Sequence, residues 1–142
     1  MHDKDTKIKG NITELDVLTY ITKLGYQVSI PFGDRARYDQ IWDIRGKLLR
    51  VQIKTSKLSD DETKIDIPCK STTRSQGKHV NKRYTSDEID GLATIYNGVC
   101  YYIPIDILPS KCISLRFSEP LNNCQNIHFA SDFEVEKQLI NI

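Results

Sequence analysis

The chain has 142 residues and a formal net charge of +1. That length allows one domain with one sizeable core, and the charge excludes any argument for nucleic-acid binding from global charge, so a basic surface must come from local clustering. An apolar fraction of 39% and a charged fraction of 27% match an ordinary globular chain, and no apolar run approaches the roughly 18 residues of a membrane span. Residues 1–10 are charged and lack an apolar stretch, which speaks against a secretory signal and for a cytoplasmic protein. Cys69, Cys100, Cys112 and Cys124 form no CxxC pair, and His2, His79 and His128 are scattered. Reduced thiols, several of them buried, are therefore expected rather than a zinc site.

The first helix is expected from about Ile12 to Leu24, with Asn11 as its cap and Glu14 three residues later, as in a capping box. Gly25 is placed to end it. Val17, Leu18, Ile21 and Leu24 form the inward stripe, and Glu14 continues that stripe into the first turn. Glu14 has two readings. It closes the cap, or it is a half-buried carboxylate that needs a partner, because burying it alone is costly.

Tyr26–Ile30 reads as a strand and Pro31–Asp34 as a turn. Tyr38–Arg45 and Leu48–Ser56 come next, both rich in strand formers, around Gly46-Lys47, a sequence that suits a type II′ hairpin turn. Pairing Arg45 with Leu48 sets Asp43 against Arg50, Ile41 against Gln52 and Asp39 against Lys54, all on one face. The other face carries Trp42, Ile44, Leu49, Val51 and Ile53, a core-facing set. The polar face is either a solvated surface with cross-strand ion pairs or a site. A lysine beside a carboxylate and an amide oxygen on a rigid frame suits a metal-dependent phosphodiester hydrolase.

Leu58–Glu62 reads as an acidic loop and Lys64–Pro68 as a short strand with Ile65 and Ile67 on one face. Lys70–Arg83 contains no acidic residue but holds Lys70, Arg74, Lys78, Lys82 and Arg83. It is either a solvated loop or an arm that contacts phosphates. Tyr84 precedes the cap candidates Thr85 and Ser86 of a second helix expected over Asp87–Tyr96. Further strands are expected at Gly98–Ile105 and Cys112–Phe117. The tail from Ala130 to Ile142 reads as a short helix whose Phe133, Leu139 and Ile140 pack on the body or on another subunit. With no repeat and no linker, residues 1–142 make a single domain of the α/β class, a mixed central sheet flanked by helices.

Glu14, Tyr38-Asp39 and Gln52-Ile53-Lys54 in this order resemble the PD-(D/E)XK nuclease superfamily: a helix glutamate, a strand carboxylate, then (D/E)-x-K on the next strand. Gly25-Tyr26-Gln27-Val28, Pro31-Phe32-Gly33-Asp34, Arg50–Thr55, Tyr84–Asp90 and Tyr101–Pro104 look like one small branch of it. That branch contains cyanobacterial group I intron homing endonucleases and relatives with Gln in the motif. The resemblance covers roughly residues 7 to 107. It departs from the wider pattern at Tyr38, where Pro is usual, and at Gln52, where Asp or Glu is usual.

The resemblance implies a restriction-endonuclease-like core and a sequence-specific, Mg2+-dependent (or Mn2+-dependent) endonuclease that cuts double-stranded DNA. It implies Asp39 as the direct metal ligand, Gln52 and the Ile53 carbonyl as helpers, Glu14 as a direct or water-mediated ligand, and Lys54 to orient the attacking water. A neutral amide binds a hard cation more weakly than a carboxylate, so Gln52 leaves the number of metals open. DNA contacts are expected at Lys7, Lys9, Arg35, Arg37 and along the Lys70–Arg83 arm. Arg74, Gln76, Lys78, Asn81 and Lys82 are the candidate base readers, and Tyr84 either stacks or staples the following turn. One active site per chain implies at least a homodimer for cutting both strands, and the resemblance extends this to a dimer of dimers. A Holliday-junction resolvase of the same fold and a non-catalytic DNA-binding regulator are the alternative readings. A further one is an α/β domain whose polar hairpin face is simply wet.

Overall fold

The first helix, α1 (His2–Lys23), begins well before the expected cap at Asn11, so Asn11 and Glu14 lie in its interior. Nothing in residues 2–11 stops a helix, since they contain no proline, and one interior Gly costs only about 1 kcal/mol. The computed structural model describes the backbone of residues 2–119 and 127–142, and the side chains of these except residues 2–4, 72–75 and 79. Val17 and Ile21 are fully buried, Leu18 is half-buried, and Leu24, past the helix end, is 40% exposed. Gly25 ends the helix at φ +96°; its N–H donates to Thr22 O (3.0 Å), and the Tyr26 N–H donates to Ile21 O (3.4 Å). This is the double carbonyl closure that a left-handed C′ residue makes possible.

β1 (Gln27–Ser29) runs antiparallel to β2 (Gln40–Ile44), which turns back into β3 (Lys47–Ile53). The hairpin register corrects the expected one. Ile44 pairs with Lys47 and Asp43 with Leu48, and the turn residues are Arg45 and Gly46, with φ +53° and +93°. Two left-handed residues make a type I′ turn, whose twist matches the strands. The slip is two residues, and a two-residue slip leaves every side chain on its expected face. Trp42, Ile44, Leu49, Val51 and Ile53 are accordingly buried.

β4 (Lys57–Leu58) and β5 (Lys64–Pro68) come next, then β6 (Lys70–Ser75) and β7 (Lys78–Arg83). β6 and β7 pair only with each other, from Lys70–Arg83 at the foot to Ser75–Lys78 at the tip, around Gln76 and Gly77 at φ +52° and +75°. The acid-free segment is thus a two-stranded ribbon, not a loop. The expected second helix is also corrected. β8 (Gly91–Tyr96) occupies its place, parallel to β3 and antiparallel to β9 (Val99–Pro104). The cap chemistry is real: Glu88 accepts from the Thr85 N–H and hydroxyl, and the Glu88 and Ile89 N–H groups donate to Thr85 O. It closes one turn only. Beyond it, Gly91-Leu92-Ala93-Thr94 is buried on both faces, the environment of a central parallel strand.

β10 (Cys112–Arg116) and β11 (His128–Phe129) complete the strands. The main sheet has the order β1-β2-β3-β8-β9. A second, unforeseen sheet, β11-β10-β5-β4, lies beside it. One core joins α1, Trp42, Val51, Ala93 and Tyr102 to α2 (Val135–Ile140); the other joins Leu92 and Ile103 to Ile65, Ile67 and Leu115 of the second sheet. The tail packs on its own domain through buried Phe133, Val135 and Leu139, whereas Ile140 is 72% exposed. Arg45 grips the tail, donating to Leu139 O (2.6 Å) and to Ile142 O. Among the described residues, Cys69, Cys100 and Cys112 are unpaired thiols; Cys124 lies outside them. Among the described residues no helix is long and apolar enough to cross a membrane.

Candidate active site

The polar face of the β2–β3 hairpin opens where β2 begins. There the Asp39 N–H donates to Val51 O (2.9 Å), and Asp39 Oδ2 accepts from the Ile53 N–H (2.9 Å). Asp39 therefore stands beside Gln52, two positions from the expected Lys54, as the register correction requires. The Lys54 N–H donates to Ala93 O in β8 (2.9 Å), so the residue after β3 is still fixed by the central strand. Its Nζ donates to Lys70 O (3.2 Å) at the ribbon foot and lies 5.3 Å from the centre of the Tyr84 ring.

Glu14 comes to the same place from α1. Burial pushes its carboxyl above the ordinary range, and the charge of Asp39 and a hydrogen bond to it push further the same way. Asp39 is also raised, by burial first, against the opposing pull of the Ile53 N–H, the Lys54 charge and Glu14. Burial thus disfavours the charged form of both carboxyls, and the Asp39 charge adds to this at Glu14.

Two polar contacts fix α1 over the hairpin. Gln40 is 1% exposed; its Nε2 donates to Glu14 O (2.8 Å) and its Oε1 accepts from Trp42 Nε1 (3.0 Å). The Thr13 hydroxyl donates to Lys9 O (2.9 Å), which leaves Thr55 to donate to Thr13 Oγ1 across 2.9 Å. Sequence reasoning missed Gln40, Thr13 and Thr55. The signal for Gln40 is its phase: it shares the inward parity of Trp42 and Ile44, and a polar side chain there must be a satisfied one.

Among the described residues no three His, Cys, Asp or Glu side chains come together. Glu14 and Asp39 meet here, and on the neighbouring strand the Gln52 amide donates to the Ile53 carbonyl (3.4 Å), so oxygens for a cation would come from these four residues. A partly buried carboxyl pair whose charged form is disfavoured is relieved by a cation. Two carboxyls with neutral oxygens fit a hard ion that keeps several waters.

The remaining candidates are spread around this centre. Lys7, Lys9 and Arg35 are exposed. Along the ribbon, Gln76, Lys78, Asn81, Lys82 and Arg83 are exposed, and the side chain of Arg74 lies outside the described residues. Strand alternation puts Asn81 and Arg83 on one ribbon face and Lys78 and Lys82 on the other, so these residues do not share one role. Arg37 is engaged within the domain. It donates to Arg83 O (3.0 Å), Lys82 O (3.3 Å), Ser71 Oγ and Glu88 Oε1 (2.6 Å), and its guanidinium lies 4.2 Å from the Tyr84 ring centre. Tyr84 is 5% exposed, so its ring is a seat within the core rather than a surface for a base.

A sequence model of the PD-(D/E)XK endonuclease family matches residues 4–136. The solved structure of a bacterial homing endonuclease, I-Ssp6803I, is similar over 95% of this chain and 92% of that one, with a TM-score of 0.77 and 24% sequence identity. At that identity the likeness is one of fold. No curated protein matches the chain.

Proposed function

The chain belongs to the PD-(D/E)XK endonuclease family, and from that premise we propose that it is a divalent-metal-dependent, sequence-specific endonuclease of the homing type that cuts double-stranded DNA. The observation that carries this reading is the partly buried Glu14–Asp39 pair beside Lys54, whose ammonium rests on the foot of an exposed basic ribbon. The homing activity of I-Ssp6803I, a protein of the same fold, supports the finer part of it.

Glu14 and Asp39 would hold the ion, Mg2+ or Mn2+, with Gln52 and the Ile53 carbonyl as weaker donors. Nuclease chemistry of this family generally uses a divalent ion, which supplies an activated water and neutralises phosphate charge. Asp39 is fixed by the Ile53 N–H, so it meets the ion with little rearrangement. Lys54 orients the attacking water and offsets charge on the phosphate in the transition state. Lys78 and Lys82 meet phosphates, as do Lys7, Lys9 and Arg35, and Asn81 reads a base edge, where Asn suits adenine. Arg37 serves by bracing the ribbon. Two copies on a roughly palindromic site cut the two strands.

Supercoiled plasmid carrying source-genome DNA, incubated with the protein and Mg2+, tests this. Discrete double-strand cuts that vanish with EDTA and with Lys54→Ala are expected. One observation favours a second reading: Gln52 leaves only two carboxylates at the site, as in a protein that binds DNA without cutting it. Salt-sensitive binding with no product under any divalent ion would select that reading. A synthetic four-way junction cut in preference to linear duplex would select a resolvase.

A further inference from the structure

The Tyr84 ring is within reach of two cations that have no other aromatic neighbour among the described residues: the Arg37 guanidinium at 4.2 Å and the Lys54 ammonium at 5.3 Å. Both holds on the Lys54 ammonium, the Lys70 carbonyl and this ring, belong to the two ends of one ribbon, since Lys70 opens β6 and Tyr84 comes directly after the last residue of β7. Arg37 ties the same two ends to the domain through Ser71, the Lys82 and Arg83 carbonyls and Glu88. Glu88 is in turn held by Thr85, and the Arg37 charge and the Thr85 contacts keep its carboxyl below the ordinary range against the effect of burial. The aromatic face attracts a cation most where water is excluded, and a ring 5% exposed meets that condition.

We propose that Tyr84 is a positioning residue for Lys54: its ring fixes where the ammonium sits, and so makes the seat of the DNA-contacting ribbon part of the catalytic centre. The proposal rests on the role given to Lys54 above. A flexible lysine stem whose charge reaches Asp39 is free to fold onto the carboxylates there. Held by the ring and by Lys70 O, it keeps a fixed distance from them and stays available to the water and the phosphate. The ring is what the position requires. The hydroxyl takes no part in this contact, so phenylalanine should serve as well as tyrosine.

The test compares full-length wild type, Tyr84→Phe and Tyr84→Leu in two independent readouts. In the first, formaldehyde–borohydride methylation at fixed pH is coupled to peptide mass spectrometry. Lys54 should react at the wild-type rate in Tyr84→Phe and about tenfold faster in Tyr84→Leu, while exposed Lys47 and Lys57 react alike in all three. In the second, single-turnover cleavage with Mg2+ of the plasmid that wild type cuts should fall about tenfold in Tyr84→Leu only. DNA binding in Ca2+ should stay within about threefold. Equal Lys54 methylation in all three proteins, or a Tyr84→Phe that behaves like Tyr84→Leu, would overturn the proposal. If Tyr84→Leu loses its cooperative unfolding transition, Tyr84→Met, which keeps more of the side-chain volume, takes its place in both readouts. If wild type cuts no DNA, it is the proposed function that fails, and methylation alone decides the positioning role.

Discussion

Glu14, in the interior of α1, comes up against Asp39 at the mouth of β2, and burial raises both carboxyls, Glu14 further through the Asp39 charge. Both are raised relative to the unfolded chain, so the folded state binds protons more tightly. Stability from this pair is fully present below the ordinary carboxylate values of about 4 and is lost as pH rises through the raised ones. Metal-free protein should therefore melt lower at pH 8 than at pH 5 as far as this pair contributes. A divalent ion that offsets the two carboxylate charges should raise the melting temperature at pH 8 by a few degrees and by less at pH 5. Differential scanning fluorimetry with EDTA, Mg2+ and Ca2+ at both values measures it. An equal shift at both would remove the pair as the ion's site.

Asp39→Asn separates catalysis from stability. The amide oxygen still accepts from the Ile53 N–H, and the buried charge is gone. Cleavage should fall at least about 100-fold, DNA binding in Ca2+ should hold, and metal-free stability at pH 8 should match or exceed wild type. A mutant that loses binding and cleavage together would assign Asp39 to the fold rather than to the chemistry.

Gln40→Leu strips the buried Trp42 indole N–H of its partner and removes the brace on the Glu14 carbonyl, which keeps its bond within α1. Stranding the indole N–H should cost about 1–3 kcal/mol in urea unfolding. Because Glu14 loses its brace, cleavage at saturating DNA should drop while half-saturation stays the same. Unchanged stability would show that α1 is held over the hairpin by other contacts.

The two ribbon faces should differ in salt dependence. Lys78→Ala and Lys82→Ala should each lower the slope of log binding constant against log salt by about 1, with little change in site preference. Asn81→Ala should keep the slope and relax one position of the target, at a cost of about 1–3 kcal/mol of discrimination. Binding titrations at several salt concentrations on the mapped site and on scrambled duplex separate the two behaviours.

Sequence carries the two faces of the β2–β3 hairpin further than it carries the fold around them. The alternation of Asp39, Gln52 and Lys54 against Trp42, Val51 and Ile53 survives a register error of two residues, because face depends only on parity. Positions along the strand do not survive it, so Asp39 meets Gln52 instead of Lys54. The segment after Thr85 reads as a helix because its cap bonds are genuine, whereas tertiary burial sets the conformation from Gly91 onward. Gly91 shows the pressure: a Cβ there would lie 2.3 Å from the Tyr102 ring, so glycine leaves the room that this ring occupies over β8. The ribbon carries its own turn signal in Gln76-Gly77, hidden because the flanking residues lack the apolar alternation that usually marks strands. The braces, Gln40 and Arg37, depend on elements distant in the chain, and no local pattern announces such partners.

Arg45 stands at φ +53°, where asparagine or glycine would be at ease, yet its guanidinium reaches the Leu139, Ile140 and Ile142 carbonyls and the Tyr26 hydroxyl. A turn-optimising exchange such as Arg45→Asn would relax the backbone and untie the end of the chain in the same stroke. The position is a compromise between two scales of order. An engineer who consulted hairpin preferences alone would improve the corner and loosen the wall.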